Sequence, residues 1–350
     1  MGVGHSGVED LVTDPGVSLD VVVCTYNNAP LLDEALGALL AQEVSGNVDW
    51  GILVVNNNCT DATEEVVERH AGRSQVPFSM VHEPEQGLTP ARLRGVVSTD
   101  RDWIAFVDDD CLLAPDWIQS AAEFARAHPD CGGFGGEVVL DWEEPPREYV
   151  TRYGWAFAEQ RHGPEPKRVP SLAGAGFVLR RAALEETGWV AKRFLADRVG
   201  ERLISGGDVE MALRVASRYE LWYTPMCRLR HRIPRRRTTL SYVLAVTHGL
   251  GSSKLLGDSM LWTGSYPRWL ATSLTRSTEW AGAALRYGSR AALRRGGGKD
   301  ALVQLSFLSG WLAGIWRLMT MSPAKRRALL GCAQAFAKSD QLVRSEQGTR

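Results

Sequence analysis

Four apolar runs rich in β-branched and aromatic residues, separated by three segments of helical spacing, fill residues 17–112 and dictate the fold class. Leu19–Cys24, Ile52–Val55, Pro77–Val81 and Trp103–Val107 read as strands. Leu31, Leu32, Ala35, Leu36 and Leu39 repeat at helical spacing behind Pro30, and Glu64 and Glu65 suit the start of a second helix, for which Thr60 or Asp61 can act as cap. Thr89-Pro90 opens a third helix to about Val97. Strand–helix–strand units with short connections imply right-handed crossovers and a parallel sheet. Three of the strands end in polar clusters, Thr25–Asn28, Asn56–Asp61 and Asp108–Asp110, which should meet along one edge of that sheet. In open α/β sheets that carboxyl edge is where ligands bind.

The triple aspartate carries the chemistry. Three adjacent like charges repel, and a hard divalent cation held through oxygen ligands offsets the cost while bridging protein carboxylates to phosphates. A solvated acidic turn is the bland alternative. No glycine-rich phosphate loop follows the first strand, and Gly249–Lys254 sits inside a helical stretch, so a dinucleotide fold is disfavoured. The six cysteines lie far apart with no Cys-x-x-Cys pair, which argues against a zinc site or disulfide framework and suits a reducing compartment. The polar, acidic start resembles no signal peptide, so a cytoplasmic protein is expected.

A net charge of −1 hides an asymmetry. Residues 1–227 hold 19 basic against 36 acidic side chains, and residues 228–350 hold 21 against 5. A basic half implies either an anionic partner surface or intramolecular cover for the acidic half.

Later segments are less regular. An amphipathic helix follows Pro115 to about His128, and Pro145–Arg168 is a long segment that could serve as acceptor loop or lid. Residues 190–207 read as mobile, Asp208 as the cap of a helix to about Arg218, and Leu221–Tyr223 as a short strand. From about residue 239 the pattern is helical. Leu302–Met319 is apolar but interrupted by polar groups, with Arg317, Lys325, Arg326 and Arg327 as nearby basic groups; it could span a membrane, lie in its interface, or pack on the preceding α/β part.

Taken in order, Val22–Asn28, Val54–Asp61, Gly87–Arg92, Phe106–Asp110, Gly174–Arg181 and Gly206–Glu210 resemble the family-2 glycosyltransferases of the GT-A fold, inverting and of bacterial type. The resemblance implies an α/β domain over residues 17–240, with a mixed, mostly parallel sheet and helices on both faces. A flexible tail (1–16), a helical C-terminal region (241–340) and a second tail (341–350) flank it. It also implies transfer of one sugar from a nucleoside diphosphate to a hydroxyl acceptor, with Mn²⁺ or Mg²⁺ as cofactor. Asp108 and Asp110 match donor- and metal-holding aspartates, with Asp109 between them in the donor site. Thr25, Tyr26 and Asn27 fall at the nucleobase pocket, and Arg92 falls near the diphosphate. Asn56 stands where the family often has a base-reading aspartate. Asp208 matches the catalytic base, with Glu210 as fallback because Gly207 replaces the usual Glu before it. His231 is either a metal ligand or a structural histidine.

Two other readings stay open: a non-catalytic nucleotide-sugar binder of the same fold, and a nucleotidyltransferase. Ser265 stands where processive synthases have the Gln of Gln-x-x-Arg-Trp, ahead of Arg268-Trp269, so single transfer is expected. The expected setting is cell-envelope polysaccharide or glycolipid assembly on the inner face of the plasma membrane, with an acceptor that could be lipid-linked, an anionic membrane surface as a candidate partner, and no nucleic acid.

Overall fold

The computed structural model describes residues 16–195, 197–199, 203–293 and 296–333. Most of both expected tails lies outside these residues. The chain runs β1 (Val17–Thr25), α1 (Ala29–Leu40), β2 (Val48–Asn56), α2 (Thr63–Ala71), β3 (Phe78–His82), α3 (Leu88–Val97), β4 (Trp103–Asp108), β5 (Cys111–Leu113) and α4 (Trp117–Ala127). Then follow β6 (Gly133–Gly135), β7 (Val138–Trp142), α5 (Glu148–Thr151), β8 (Lys167–Arg168), β9 (Phe177–Arg180), α6 (Arg181–Glu186), α7 (Gly207–Ala216), β10 (Leu221–Tyr223) and β11 (Leu229–Ile233). Four helices close the chain: α8 (Leu240–Met260), α9 (Tyr266–Ala292), α10 (Gly298–Thr320) and α11 (Pro323–Leu329).

Eight strands form one sheet in the order β3-β2-β1-β4-β9-β6-β10-β8. β1 pairs in parallel with β2 and β4, and β9 enters antiparallel between β4 and β6. The mixed, mostly parallel sheet is therefore as the sequence implied. Side chains alternate across it, as the period of two requires. Val21, Val23, Ala105 and Val107 pack on one face with α1 and α4, while Val22, Ile104 and Phe106 pack on the other with α3 and α7. Both faces are covered, which is why these strands read as continuous apolar runs.

The chain leaves β1 for β2 on one side and returns to β4 on the other, so a topological switch point lies between β1 and β4. The clusters Thr25–Asn28 and Asp108–Asp110 sit at those two strand ends. A second sheet, β5-β11-β7, stands beside this edge and brings His231 to Cys111 in register. His231 thus lies inside a strand rather than after one.

The C-terminal helices form their own core of Leu255, Leu256, Met260, Trp269, Phe307, Trp311, Ile315 and Leu318. α8 and α10 meet at backbone distance: a Cβ at Gly310 would lie 1.8 Å from the His248 carbonyl oxygen, and one at Gly251 would lie 2.2 Å from that of Phe307. Among the described residues only α10 is long and apolar enough to cross a membrane. One of its faces is packed, while Leu302, Leu305, Leu312, Trp316 and Met319 remain exposed on the other.

Candidate active site

Three strand-end loops converge on one cleft of about 790 Å³. Thr25–Asn28 and Asp108–Asp110 form its floor, and the segment from Trp155 to His162 forms a wall. Tyr242, Val246 and Leu250 of α8 form another. The long 145–168 segment is therefore a cleft wall, and it holds α5, a 3₁₀ turn (Gly154–Phe157) and β8 where the sequence reads as irregular.

Asn27 has φ 49°, a left-handed conformation that asparagine tolerates, and its Oδ1 accepts the Thr60 N–H at 2.7 Å. Tyr26 stands beside it, 41% exposed at the rim. Asp61 accepts the Ala29 N–H at 2.9 Å and the Thr63 N–H and hydroxyl, so one carboxylate serves the starts of both α1 and α2. Burial would raise its pKa, but the bonds from Thr63 and Ala29 hold it below the usual value.

Asn56 is not among the residues that line the cleft. It is buried, accepts the Cys59 N–H at 2.9 Å and donates to Glu64 at 3.2 Å, so its amide ties the loop to α2. Asn57, which does line the cleft, is likewise committed, to the Gly87 N–H and to the carbonyls of Glu83 and Glu85.

The three aspartates occupy three different environments. Asp109 accepts from the Thr25 hydroxyl at 2.7 Å and from Asn28 at 2.8 Å. Burial and the neighbouring Asp110 charge nevertheless push its pKa up to about 7. Asp108 is raised by burial against the pull of Arg92, whose Nη2 lies 3.6 Å away. Asp110 is held well below the usual range, because His231 and Arg237 together outweigh its burial. Its Oδ1 lies 3.2 Å from His231 Nε2, and its Oδ2 accepts from Arg237 Nη1 at 2.6 Å.

These groups fit a hard divalent cation. Atoms of Asp108 and Asp110 that could ligate lie within one 4.8 Å cluster with the Cys111 sulfur. Burial raises the Cys111 thiol well above its usual pKa, and a hard cation prefers oxygen ligands to sulfur. His231 Nδ1 faces the Phe157 carbonyl at 2.8 Å, and a carbonyl only accepts, so Nδ1 carries the proton. Nε2 therefore meets Asp110 either as a second N–H or as a lone pair that needs a cation between them. The two carboxylates suit Mn²⁺ or Mg²⁺, while His231 Nε2 stands beside Asp110 and outside the cluster that Asp108 and Asp110 form.

Asp208 stands across the cleft. It occupies the second position of α7, whose cap is Gly206, so it is not the helix cap expected from sequence. Burial and the nearby Asp197 push its pKa up to about 6 against the attraction of Arg92. A Cβ at Gly174 would lie 2.6 Å from Asp208 Oδ2 and 3.1 Å from Arg92 Nη2, so glycine there lets carboxylate and guanidinium converge. Glu210 is not available as a base. It is fully buried, accepts the N–H groups of Phe194 and Leu195, and pairs with Arg214 at 2.8 Å.

Asp197 is the residue that sequence reasoning missed. Its Oδ2 pairs with Arg92 at 2.5 Å, and its carboxylate accepts from the backbone of Gly206 and Asp208. It lies in the 190–207 segment expected to be mobile. The described part of that segment is instead anchored by Phe194 and Leu195 on Glu210 and by the Asp197 N–H on the Thr89 hydroxyl; Ala196 and residues 200–202 lie outside the described residues.

The fold is similar to that of the mannosyltransferase PcManGT from Pyrobaculum calidifontis, solved in complex with GDP-Man and Mn²⁺. The TM-score is 0.56 at 18% identity, over 85% of this chain and 87% of that one. The fold and its cleft define a glycosyltransferase of the GT-A class. The Glycosyl transferase family 2 model matches residues 20–188, and that stretch is a family-2 glycosyltransferase domain. A glucosyl-dolichyl phosphate glucuronosyltransferase of Haloferax volcanii is 23% identical over 69% of this chain and 78% of its own length. A validoxylamine A glucosyltransferase of Streptomyces hygroscopicus subsp. jinggangensis is 31% identical over 47% of this chain, a match that spans 40% of that relative.

Proposed function

We propose that this glycosyltransferase moves a single sugar from a metal-bound nucleoside diphosphate to a hydroxyl acceptor, with inversion. One observation carries the reading: Asp208 converges at Gly174 with Arg92, whose other neighbour is Asp108, on one cleft, and this supports a base beside a diphosphate site. Asp208 takes the acceptor hydroxyl proton while the acceptor oxygen bonds to the anomeric carbon and the bond from that carbon to the diphosphate breaks. Arg92 meets the charge that grows on the leaving diphosphate. Asp108, Asp110 and His231 would hold the divalent ion, which supplies further neutralisation of that charge. Thr25, through its hydroxyl on Asp109, fixes the floor on which the nucleoside rests between Tyr26 and Asn27.

The acceptor is proposed to be lipid-linked, in polysaccharide or glycolipid assembly at the inner face of the plasma membrane. In support, α10 exposes an apolar face with Arg317, Lys325 and Arg327 exposed near its end, as an anionic bilayer surface would require. Two relatives have names in keeping with a glycolipid or polysaccharide role: the glucosyl-dolichyl phosphate glucuronosyltransferase of Haloferax volcanii, and the succinoglycan biosynthesis protein ExoM of Rhizobium meliloti, 29% identical over 41% of this chain and 48% of its own length.

Thermal-shift binding of UDP, GDP, dTDP and CMP, each with and without Mn²⁺, tests the donor site. One nucleotide raising the melting temperature only with metal is the expected result. No metal-dependent shift with any of them would move the reading to a non-catalytic binder.

A further inference from the structure

Asp110 has two carboxylate oxygens, and both are taken. One faces His231 Nε2, and the other accepts from Arg237 at 2.6 Å. A divalent ion of the kind proposed above binds a carboxylate oxygen at about 2.0–2.6 Å, and a guanidinium 2.6 Å from the same atom would set two positive charges side by side on it. The imidazole offers a ring nitrogen that can itself ligate a metal, whereas a guanidinium has only N–H donors. The guanidinium has no neutral form at any ordinary pH, so it is the group that must move.

The surroundings of Arg237 permit that movement. It lies in a single 3₁₀ turn, Arg235–Thr238, between the extended residues Pro234 and Thr239. The turn is fixed at its ends, where the Arg235 N–H donates to Glu143 at 2.7 Å and Thr239 caps α8. Its head, by contrast, is held to the rest of the site through the Asp110 contact and lines the donor cleft with Arg236. A long side chain on a fixed backbone can swing several ångströms to another anion.

We propose that Arg237 is the resident cation of the donor-free site: it competes with the divalent ion for Asp110 and transfers to the donor diphosphate when ion and nucleotide bind together. The proposal rests on the metal-dependent reading above. It gives the residue two effects of opposite sign, which a purely structural arginine would not have. Without nucleotide, Arg237 weakens metal binding. With nucleotide, it strengthens the complex.

The test is a titration of Mn²⁺ followed by the free-ion electron paramagnetic resonance signal, on wild type, Arg237→Gln, Arg237→Lys and Asp110→Asn, first without nucleotide. Arg237→Gln should bind Mn²⁺ tighter than wild type by on the order of tenfold, since a charge-assisted bond to Asp110 is gone. Arg237→Lys should fall between the two, and it carries the test if the Gln variant does not fold. Asp110→Asn should lose the site. The titration is then repeated with saturating UDP, GDP, dTDP or CMP, and here the order should reverse, with the Gln variant holding nucleotide and metal more weakly. Unchanged or weaker metal affinity in a folded Gln or Lys variant, with wild type binding Mn²⁺ in the presence of nucleotide, overturns the competition and leaves the donor reading intact. No Mn²⁺ binding by any form, with or without nucleotide, overturns both.

Discussion

Asp197 occupies the space that any side chain at position 207 would need. A Cβ on Gly207 would lie 2.7 Å from Asp197 Oδ2 and 2.6 Å from the Thr89 hydroxyl. The carboxylate that the family motif places at the residue before Asp208 is absent here, and a carboxylate ten positions earlier fills that volume and pairs with Arg92. The apparent gap in the motif is a filled site.

This relationship sets the first expectation. Asp197→Ala leaves Arg92 buried without its closest partner, a loss of about 3–5 kcal/mol. Gly207→Glu alone should also destabilise, by overpacking. The double variant should recover part of both losses, so a double-mutant cycle by urea denaturation should give a favourable coupling. Strict additivity would show that the two positions do not share the space.

Asp208→Asn should lower turnover by about 10²–10⁴-fold while leaving metal-dependent nucleotide binding in place. The base works only when ionised, and burial with Asp197 raises its pKa to about 6. Activity should therefore be full above that pH and fall as pH drops through it. A pH–rate profile flat from 5 to 8 would remove Asp208 from the role.

Glu210→Gln should behave differently. Its carboxylate is consumed by two backbone N–H groups and Arg214, so its loss should cut the melting temperature and leave the pH–rate profile of the remaining folded enzyme unmoved. A displaced acid limb in this variant would restore it as a candidate base.

Asp110→Asn should abolish the Mn²⁺-dependent part of any nucleotide thermal shift, and treatment of wild type with EDTA should do the same. Calorimetry of the variant with Mn²⁺ and nucleotide checks this. Retained metal dependence would place the ion elsewhere.

Replacing Leu305, Leu312 and Trp316 with serine should reduce flotation with anionic vesicles and leave the melting temperature nearly unchanged, because all three are exposed. Equal flotation with neutral and anionic vesicles would count against an anionic surface as partner.

The sheet was legible because its central strands are covered on both faces and flanked by helices of matching period. Strands β1 to β4 fall within a few residues of the apolar runs, and Leu221–Tyr223 matches β10. The aspartate floor was legible because a charged triplet after a buried strand has few other uses. Asn56 has the type and place of a base reader, and its contacts to Cys59 and Glu64 were not legible in the sequence. The Arg237–Asp110 contact spans 127 residues, and no local period encodes a pairing that depends on where β11 docks. Asp197 was hidden for the same reason: its partners are Thr89, Arg92 and Gly206, assembled only when α3 and α7 pack on one face of the sheet.

Tyr242, Val246 and Leu250 belong to α8, yet they line the donor cleft, and α8 meets α10 with glycine at the crossing points. The sheet-bearing half and the helical half therefore cannot be traded as separate modules. A chimera joined near residue 240 would inherit a cleft with one wall from each parent. Exchanging specificity between relatives should succeed only when the graft carries α8 and the helix that supports it.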